Sequence, residues 1–409
     1  MTKVLIVGAG GQGGPCTSIL ARDKDISGIV LGDIDLDLAN KVKEYIGSNK
    51  ITAVKINAGE IEEIAQAAQG VDVIINLAPP QCNTNVMKAA LRSGTHYVDA
   101  ALDYPAMAQL TERKPPELDN EFKKAGLTAL IACGGTPGLS NVLVKYVCDK
   151  FDQLDSICLR CSGPITKKPK DIIRAWDPGW APKTAFIDYS KEPIVFEDGE
   201  YKKYPPFSGR EEYDFTPFGK VLVAHHLHEE AAMLPYFIGK GLKYVDFKFP
   251  ADIQAGCLVQ QGFASDKLID IKGIKISPWD VLEKLVRTPV NAFFTEEEVA
   301  KSPVDFTKSY VIKVKGTKSG SAMEYTLSYP YPLFVTTEER LEVFRRFGTI
   351  NIYVALPAIV GAKMCVEGKA SKGTIGPECL DPLEFLKGMA AMDCPVKLNE
   401  VVSRGVVIK

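Results

Sequence analysis

Short apolar runs alternate with amphipathic stretches over the first 150 residues. Lys3–Val7, Gly28–Leu31, Thr52–Ile56, Asp72–Asn76, His96–Asp99 and Thr128–Ala132 read as strands. Between them, Pro15–Arg22, Leu36–Ile46, Ile61–Ala68, Thr84–Arg92 and Glu117–Lys124 carry apolar residues at helical spacing. Strand and helix in alternation are βαβ units, which build a doubly wound parallel sheet. Ligands then bind beyond the C-terminal ends of its strands.

After Asn141 the texture changes. A helix, Val142–Lys150, leads to a series of strands: Leu154–Cys161, Phe186–Ile194, Val221–His228, Leu242–Phe249, Ser309–Lys315 and Glu324–Ser328. Pro278–Val286 and Glu338–Phe347 read as helices. Strands that follow one another without crossover helices predict an α+β unit with a largely antiparallel sheet. Near the end, Ile352–Val366 is apolar nearly throughout and reads as a buried helix. Leu383–Met392 is a further helix opened by Asp381-Pro382, and a last strand lies near Val396–Val402.

A chain of 409 residues with 46% hydrophobic and 24% charged residues is expected to be a soluble protein of two or three domains. The formal charge of −2 gives no electrostatic case for nucleic acid or a membrane surface. No run of apolar residues reaches the 18 or more of a membrane span. The chain opens directly on a strand, so no cleavable signal peptide is expected. The ten cysteines have no disulfide framework. Cys158 and Cys161 form a lone C-x-x-C whose offset puts them on opposite faces of a strand. Reduced thiols in a cytoplasmic protein are the expectation.

The first candidate chemistry is the G-x-G-x-x-G of Gly8, Gly10 and Gly13, set between the first strand and the first helix. Gly8 permits the tight turn, Gly10 lets the backbone approach a pyrophosphate, and Gly13 lets the helix pack on the strand. Gly11 and Gln12 complete the turn, and the helix N-terminus beyond attracts the diphosphate. Asp33 lies at the end of the second strand, where an acidic side chain receives the adenosine ribose hydroxyls. No arginine lies between Asp33 and Asn40 for a 2′-phosphate, so NAD is favoured over NADP. Asp33, Asp35 and Asp37 partly mimic a calcium loop, but Leu38 stands where that loop needs glycine. Asp35 or Asp37 is expected to cap the next helix.

Three more segments stand at C-terminal strand ends: Asn76-Leu77-Ala78-Pro79-Pro80, Gly94-Thr95-His96-Tyr97-Val98-Asp99 and Gly134-Gly135-Thr136-Pro137-Gly138-Leu139-Ser140-Asn141. Leu77, Ala78, Pro79, Gly135 and Pro137 are candidates to lie along the cofactor. Together with the glycine turn, in this order and spacing, these motifs resemble the saccharopine dehydrogenase-like family. That family includes saccharopine reductases, carboxynorspermidine dehydrogenases and lysine 6-dehydrogenase. The resemblance implies a Rossmann domain at residues 1–141, completed by 348–409, and a substrate-binding and dimerisation domain at 142–347. It implies an NAD(P)-dependent oxidoreductase acting on the CH–NH group of an amino acid, an opine-like secondary amine or a polyamine precursor, and a homodimer.

Three of the four histidines stand in Ala224-His225-His226-Leu227-His228-Glu229-Glu230. Position 232 is Ala232, so this is no H-E-x-x-H zinc helix. On a strand, His226 and His228 would share a face with Glu230. The resemblance implies that His-Glu-Glu segments approach the substrate, with His226 a contact and His228 and Glu229 catalytic candidates. The alternatives are ordinary structure and a metal site on His225–Glu230. His96 and Asp99 are the other acid/base candidates, with a satisfied Tyr97–Asp99 pair as the plainer reading. Arg174, Trp176 and Lys183 sit in a turn-rich aromatic stretch that could line a pocket for a carboxylated substrate or simply anchor a loop. Arg210 is another candidate carboxylate binder, with a surface ion-pair residue as the plainer reading. The rival to an enzyme is a catalytically silent NAD-binding sensor or scaffold.

Overall fold

The computed structural model describes residues 1–163, 165–166, 176, 181–286, 294–301, 306–330 and 336–405. The first sheet is built from Thr2–Val7 (β1), Ile26–Asp33 (β2), Ile51–Lys55 (β3), Val73–Asn76 (β4), His96–Asp99 (β5) and Thr128–Leu130 (β6). All neighbours are parallel, in the order β6-β5-β4-β1-β2-β3. This is the dinucleotide-fold order, in which the sequence of strands reverses beside β1. The helices are Gly13–Arg22 (α1), Leu36–Ile46 (α2), Ile61–Ala67 (α3), Asn83–Ser93 (α4), Tyr104–Thr111 (α5) and Asp119–Ala125 (α6). The short α5 has no counterpart in the expected helices. It buries only Met107 and Leu110, and its start is fixed by Asp103, which accepts from the Ala106 N–H at 2.9 Å.

Capping decides the Asp33–Asp37 run. The Asp35 carboxylate accepts from the Asp37 and Leu38 N–H groups at 3.0 and 3.2 Å, so it is the N-cap of α2.

Leu139–Cys148 (α7) carries the chain into a nine-stranded mixed sheet. Gln153–Cys161 (β7) is central in it, parallel to Tyr244–Pro250 and antiparallel to Ser309–Lys318. The other recorded pairings in this sheet are antiparallel. One core of buried residues runs from Ile6 and Val98 through Leu143 of α7 to Ile157 and Phe247.

Two expected strands differ. Phe186–Ile194 contains the end of a helix, Pro182–Ser190 (α8), and only then the strand Ile194–Glu197. Its buried residues Ala185, Phe186 and Tyr189 have helical spacing, and Pro182 fits the first turn. Val221–His228 is a strand only over Lys220–His225. The chain then turns and begins Glu230–Ile238 (α9), which the apolar pattern did not reveal.

The tail helix Ala355–Val366 is buried on almost every side, with ten of its residues inaccessible. It packs on α1, β4, β5 and β6. Gly373–Ile375 then extends the first sheet, parallel to β6. The last strand, Asn399–Arg404, crosses back and pairs with Ser321–Pro330 in the second sheet. All ten cysteines are free thiols. Among the described residues no helix is long and apolar enough to cross a membrane.

Candidate functional site

The glycine turn is fixed by close packing at two glycines and open at two others. Gly8 has φ +97°, and a Cβ there would meet the Leu77 carbonyl at 2.9 Å. A Cβ on Gly13 would lie 1.7 Å from the Gly8 oxygen. At Gly10 and Gly11 a Cβ would meet nothing within 4 Å. The chain itself therefore does not require glycine at these two places, and the space beside them is open. The Oε1 atom of Gln12 is buried beside this turn with no hydrogen-bond partner. The loop after β4 completes the wall. Leu77 N–H donates to Val7 O at 2.8 Å and Ala78 N–H donates to Asn76 Oδ1 at 3.2 Å, leading into Pro79.

Asp33 does more than the sequence suggests. Its Oδ2 accepts from the Ala9 N–H at 2.7 Å and its Oδ1 from the Asp35 N–H at 2.9 Å. The carboxylate thus ties the glycine turn to the end of β2, and each oxygen retains a further lone pair.

The ends of β4, β5 and β6 are joined by a buried polar net. Tyr97 O–H donates to Asp99 Oδ2 at 2.8 Å, and the Ala132 N–H donates to Asp99 Oδ1 at 2.6 Å. Asn76 donates to the Tyr97 oxygen at 3.1 Å and to Asn83 Oδ1 at 2.9 Å. Asp99 is 1% exposed, and burial pushes its carboxyl up to about 7. Both its oxygens are occupied, which is the plainer of its two sequence readings.

His96 is not brought to this edge. It pairs with Val73 at the start of β4, whereas the glycine turn follows Val7, which pairs with Asn76. Its Nδ1 accepts from the Thr128 N–H at 3.1 Å. A parallel strand rises about 3.3 Å per residue, so His96 sits roughly 10 Å from the ligand edge.

The second sheet brings a different group to that edge. His228 Nδ1 bonds Glu230 Oε2, and the His228 ring lies flat on Phe247, with centroids 4.1 Å apart. Glu230 is fully buried at the start of α9. Its Oε1 accepts from Thr136 at 2.6 Å, Ser140 at 2.7 Å and Tyr310 at 3.3 Å. Thr136 and Ser140 belong to the loop after β6 that also holds Gly135 and Pro137. Gly134 N–H donates to Pro137 O at 2.9 Å, and Ser140 N–H donates to Gly135 O at 3.1 Å. Glu230 is therefore the joint between the nucleotide-fold loop and the second sheet. Beyond it, Ser140 also donates to Asn141 Oδ1 at 3.1 Å, and Asn141 donates to Glu378 Oε2 at 3.2 Å. Glu378 comes from the tail, and burial pushes its carboxyl up to about 7.

The charges in this group are set by their neighbours. Burial alone would lower the His228 pKa. The Glu230 charge and hydrogen bond, with Glu229 and Asp188 nearby, overcome that and raise it to about 9. Burial would raise Glu230, but His228, Thr136 and Ser140 hold it well below the carboxylate range. The pair is an imidazolium facing a carboxylate. Glu229 lies alongside, its Oε2 3.4 Å from His228 Nδ1 and its Oε1 accepting from the Leu102 N–H at 3.3 Å. Ligand atoms of His228, Glu229 and Glu230 lie within 4.8 Å of one another, a spacing that would admit a cation. Three donors crowd Glu230 Oε1, and His228 holds Oε2.

His226 lies beside this group, 94% buried and with its ring 6.3 Å from that of His228. Trp176 and Lys183 do not join it. Trp176 packs on Phe186 at 5.2 Å, Phe186 stacks on Trp279 at 5.8 Å, and Lys183 covers Trp279 at 5.8 Å. This is a satellite core that anchors α8. Arg174 lies outside the described residues. Arg210 is exposed and donates to Phe207 O at 3.0 Å, with no ion pair among the described residues.

Sequence reasoning did not select Thr136, Ser140, Asn141, Tyr310, Asp188 or Glu378. A signal existed for three of them. Ser140 and Asn141 interrupt the apolar run Leu139–Val144, and Glu378 is an acid set between Ile375-Gly376-Pro377 and Cys379-Leu380.

Residues 4–130 match the saccharopine dehydrogenase NADP binding domain family. The chain is 25% identical over 413 residues to carboxyaminopropylagmatine dehydrogenase of Synechocystis, covering 98% of each chain. It is 24% identical to carboxynorspermidine synthase of Vibrio cholerae, covering 95% of each. In fold it is similar to saccharopine dehydrogenase (L-Glu forming) from Saccharomyces cerevisiae, with TM-score 0.68, 15% identity and 98% and 100% of the two chains covered. It is also similar to a homospermidine synthase from Legionella pneumophila solved with NAD, with TM-score 0.65, 15% identity and 98% and 91% covered. The match of residues 4–130 and the similarity to these relatives over nearly the whole chain bear out the resemblance to the saccharopine dehydrogenase-like family.

Proposed function

We propose that the protein is an NAD(P)-dependent oxidoreductase acting on the CH–NH group of an amine, within the range of amino acids, opine-like secondary amines and polyamine precursors. One observation carries this reading. The loop after β6 and the start of α9 hold a charged His228–Glu230 pair at the ligand edge of the dinucleotide fold. Two relatives matched over 95% or more of their length bear the names carboxyaminopropylagmatine dehydrogenase and carboxynorspermidine synthase, which supports the substrate range.

The residues fit a dinucleotide. Gly10 and Gly11 leave room against the backbone at the start of α1, where the helix dipole favours a diphosphate, and buried Gln12 Oε1 awaits a donor. Leu77, Ala78, Pro79, Gly135 and Pro137 would flank the cofactor, and Asp33 would take the ribose hydroxyls of NAD in preference to the 2′-phosphate of NADP. The bound cofactor supplies or accepts a hydride. The protein supplies the proton. With Nδ1 held by Glu230, Nε2 is the His228 nitrogen left for the substrate. An imidazolium suits the acid of carbinolamine dehydration and imine protonation, which is the reductive direction. Glu229 positions the substrate amine. Asp99 fastens the loops at the ends of β5 and β6, and His96 has a structural role. The nucleotide-binding unit of this reading is residues 1–141 with the tail strand Gly373–Ile375. Residues 142–347 and the last strand make the substrate unit.

Ten free thiols support a reducing compartment, read here as the cytoplasm. The exposed Val401 and Val402 on the last strand support self-association, read here as a homodimer. The test is oxidation of NADH and NADPH with a panel of 2-oxo acids or aldehydes, each paired with an amine. Tight cofactor binding without turnover on any pair would favour a silent NAD sensor instead.

A further inference from the structure

The outer edge of the second sheet is bare. Asn399–Arg404 ends its strand order, paired with Ser321–Pro330 on one side and with no strand on the other among the described residues. All six of its residues are exposed, Val401 and Val402 at 60% and 45%. The Gly405 N–H donates to Ala322 O at 2.9 Å. In an antiparallel pair the bonded residues alternate, so Ser403, Val401 and Asn399 also turn their N–H and C=O groups inward. Glu400, Val402 and Arg404 turn theirs outward, into solvent. The side chains of these same three residues share one face of the sheet. On it Val402 stands opposite buried Tyr325, and Glu400 opposite buried Leu327. Arg404 has no hydrogen bond or ion pair among the described residues. Glu400 lies beside the Tyr325 hydroxyl and keeps acceptor sites for a second partner.

An edge of this kind is a template for another strand. A twofold axis normal to the sheet pairs the strand with its own copy, antiparallel, with one residue opposite itself. The charges choose that residue. Centring on Glu400 or Arg404 sets like charges face to face. Centring on Asn399, Val401 or Ser403 sets neither charge opposite the other. Centring on Val402 sets Glu400 opposite the partner's Arg404, once on each side of the axis. In that register the outward N–H and C=O groups of Glu400, Val402 and Arg404 all find partners, and the two Val402 side chains meet beside Tyr325. We propose that a second copy of this chain docks here in this register, joining the two nine-stranded sheets into one. This inference rests on the homodimer reading and names its surface. A six-residue edge is a small contact beside the ~800 Å² per partner of a standard interface, so the dimer is expected to dissociate on dilution.

Sedimentation velocity on the full chain over a dilution series tests it. The wild type is expected to pass from monomer to dimer as concentration rises. Val402→Pro removes only an outward N–H, so it should abolish the dimer while keeping the pairing with Ser321–Pro330, the wild-type Tm and NADH affinity. Glu400→Arg and Arg404→Glu each turn both cross-strand pairs repulsive and should weaken the dimer about tenfold or more. Combining Glu400→Arg with Arg404→Glu brings opposite charges together again and should restore it. A dimer that survives Val402→Pro with the wild-type dissociation constant, or a double reversal no tighter than the single ones, would overturn the assignment and leave the homodimer reading standing. A wild type that stays monomeric at every concentration would sink both.

Discussion

Glu230→Gln isolates what the buried carboxylate does for His228. Glutamine keeps the size of the side chain and an oxygen to accept from Thr136, Ser140 and Tyr310. It removes the charge that the imidazolium faces. In the native protein the His228 pKa stands at about 9 against a burial effect of the opposite sign. A rise of this size over the ordinary 6.5 amounts to about 3 kcal/mol. Without the carboxylate, burial dominates and the pKa falls to roughly 6.5 or below. At pH 7.5 the imidazolium fraction then drops from nearly all to about a tenth or less. If His228 is the proton donor, reductive kcat at pH 7.5 should fall at least tenfold. The alkaline limb of its pH profile should move down by about two units. The assay is a kcat–pH profile from pH 5.5 to 10 for both proteins, with NADH affinity measured alongside. An unmoved alkaline limb in Glu230→Gln would refute the reasoning.

The glycine turn gives a paired prediction: Gly13→Ala, whose Cβ would strike the Gly8 oxygen, should lower Tm by several degrees. Gly10→Ala meets no protein atom and should keep the native Tm while losing NADH affinity at least tenfold, both read by thermal shift and fluorescence titration. Asp33→Ala should weaken NADH more than NADPH; equal losses would mean that Asp33 acts only by holding the Ala9 N–H. His96→Ala should leave kcat within about twofold and cost roughly 1 kcal/mol in urea unfolding, since one hydrogen bond to Thr128 is lost. The His228 pKa is raised on folding, so its contribution to stability is complete below about pH 6.5 and disappears as pH rises through about 9. The wild type should therefore lose more unfolding free energy than Glu230→Gln between pH 6.5 and 9.5.

The first sheet was legible because its signals are local. Each βα unit writes its strand, turn and helix in one contiguous stretch, and α2 runs over Leu36–Ile46 as its pattern predicts. The second sheet is assembled from distant strands, so its pairings leave no local pattern. There the periodicity misled at α8, where Phe186 and Tyr189 pack as a helical face. It was silent at α9, whose residues are apolar almost all round. The same holds for the site. Gly8, Gly10, Gly13 and Asp33 form a motif with fixed spacing. Glu230 meets Thr136 and Ser140 across 94 and 90 residues of chain, and Asn141 meets Glu378 across 237. Only folding creates those contacts. Asp99 looked like an acid/base group in sequence because its strand end faces the ligand side. The Tyr97 hydroxyl and the Ala132 N–H, which occupy it, appear only in three dimensions.

The central claim is that this protein moves a hydride between a nicotinamide and the carbon of a C–N bond. The most direct measurement is isotope transfer from stereospecifically labelled [4-²H]NADH, incubated with the protein and the amine–carbonyl panel. The account predicts an amine product one mass unit heavier, with the deuterium on the carbon next to the new C–N bond, formed by the wild type and much more slowly by Glu230→Gln. Tight binding of the labelled cofactor with no deuterium in any amine product would contradict it.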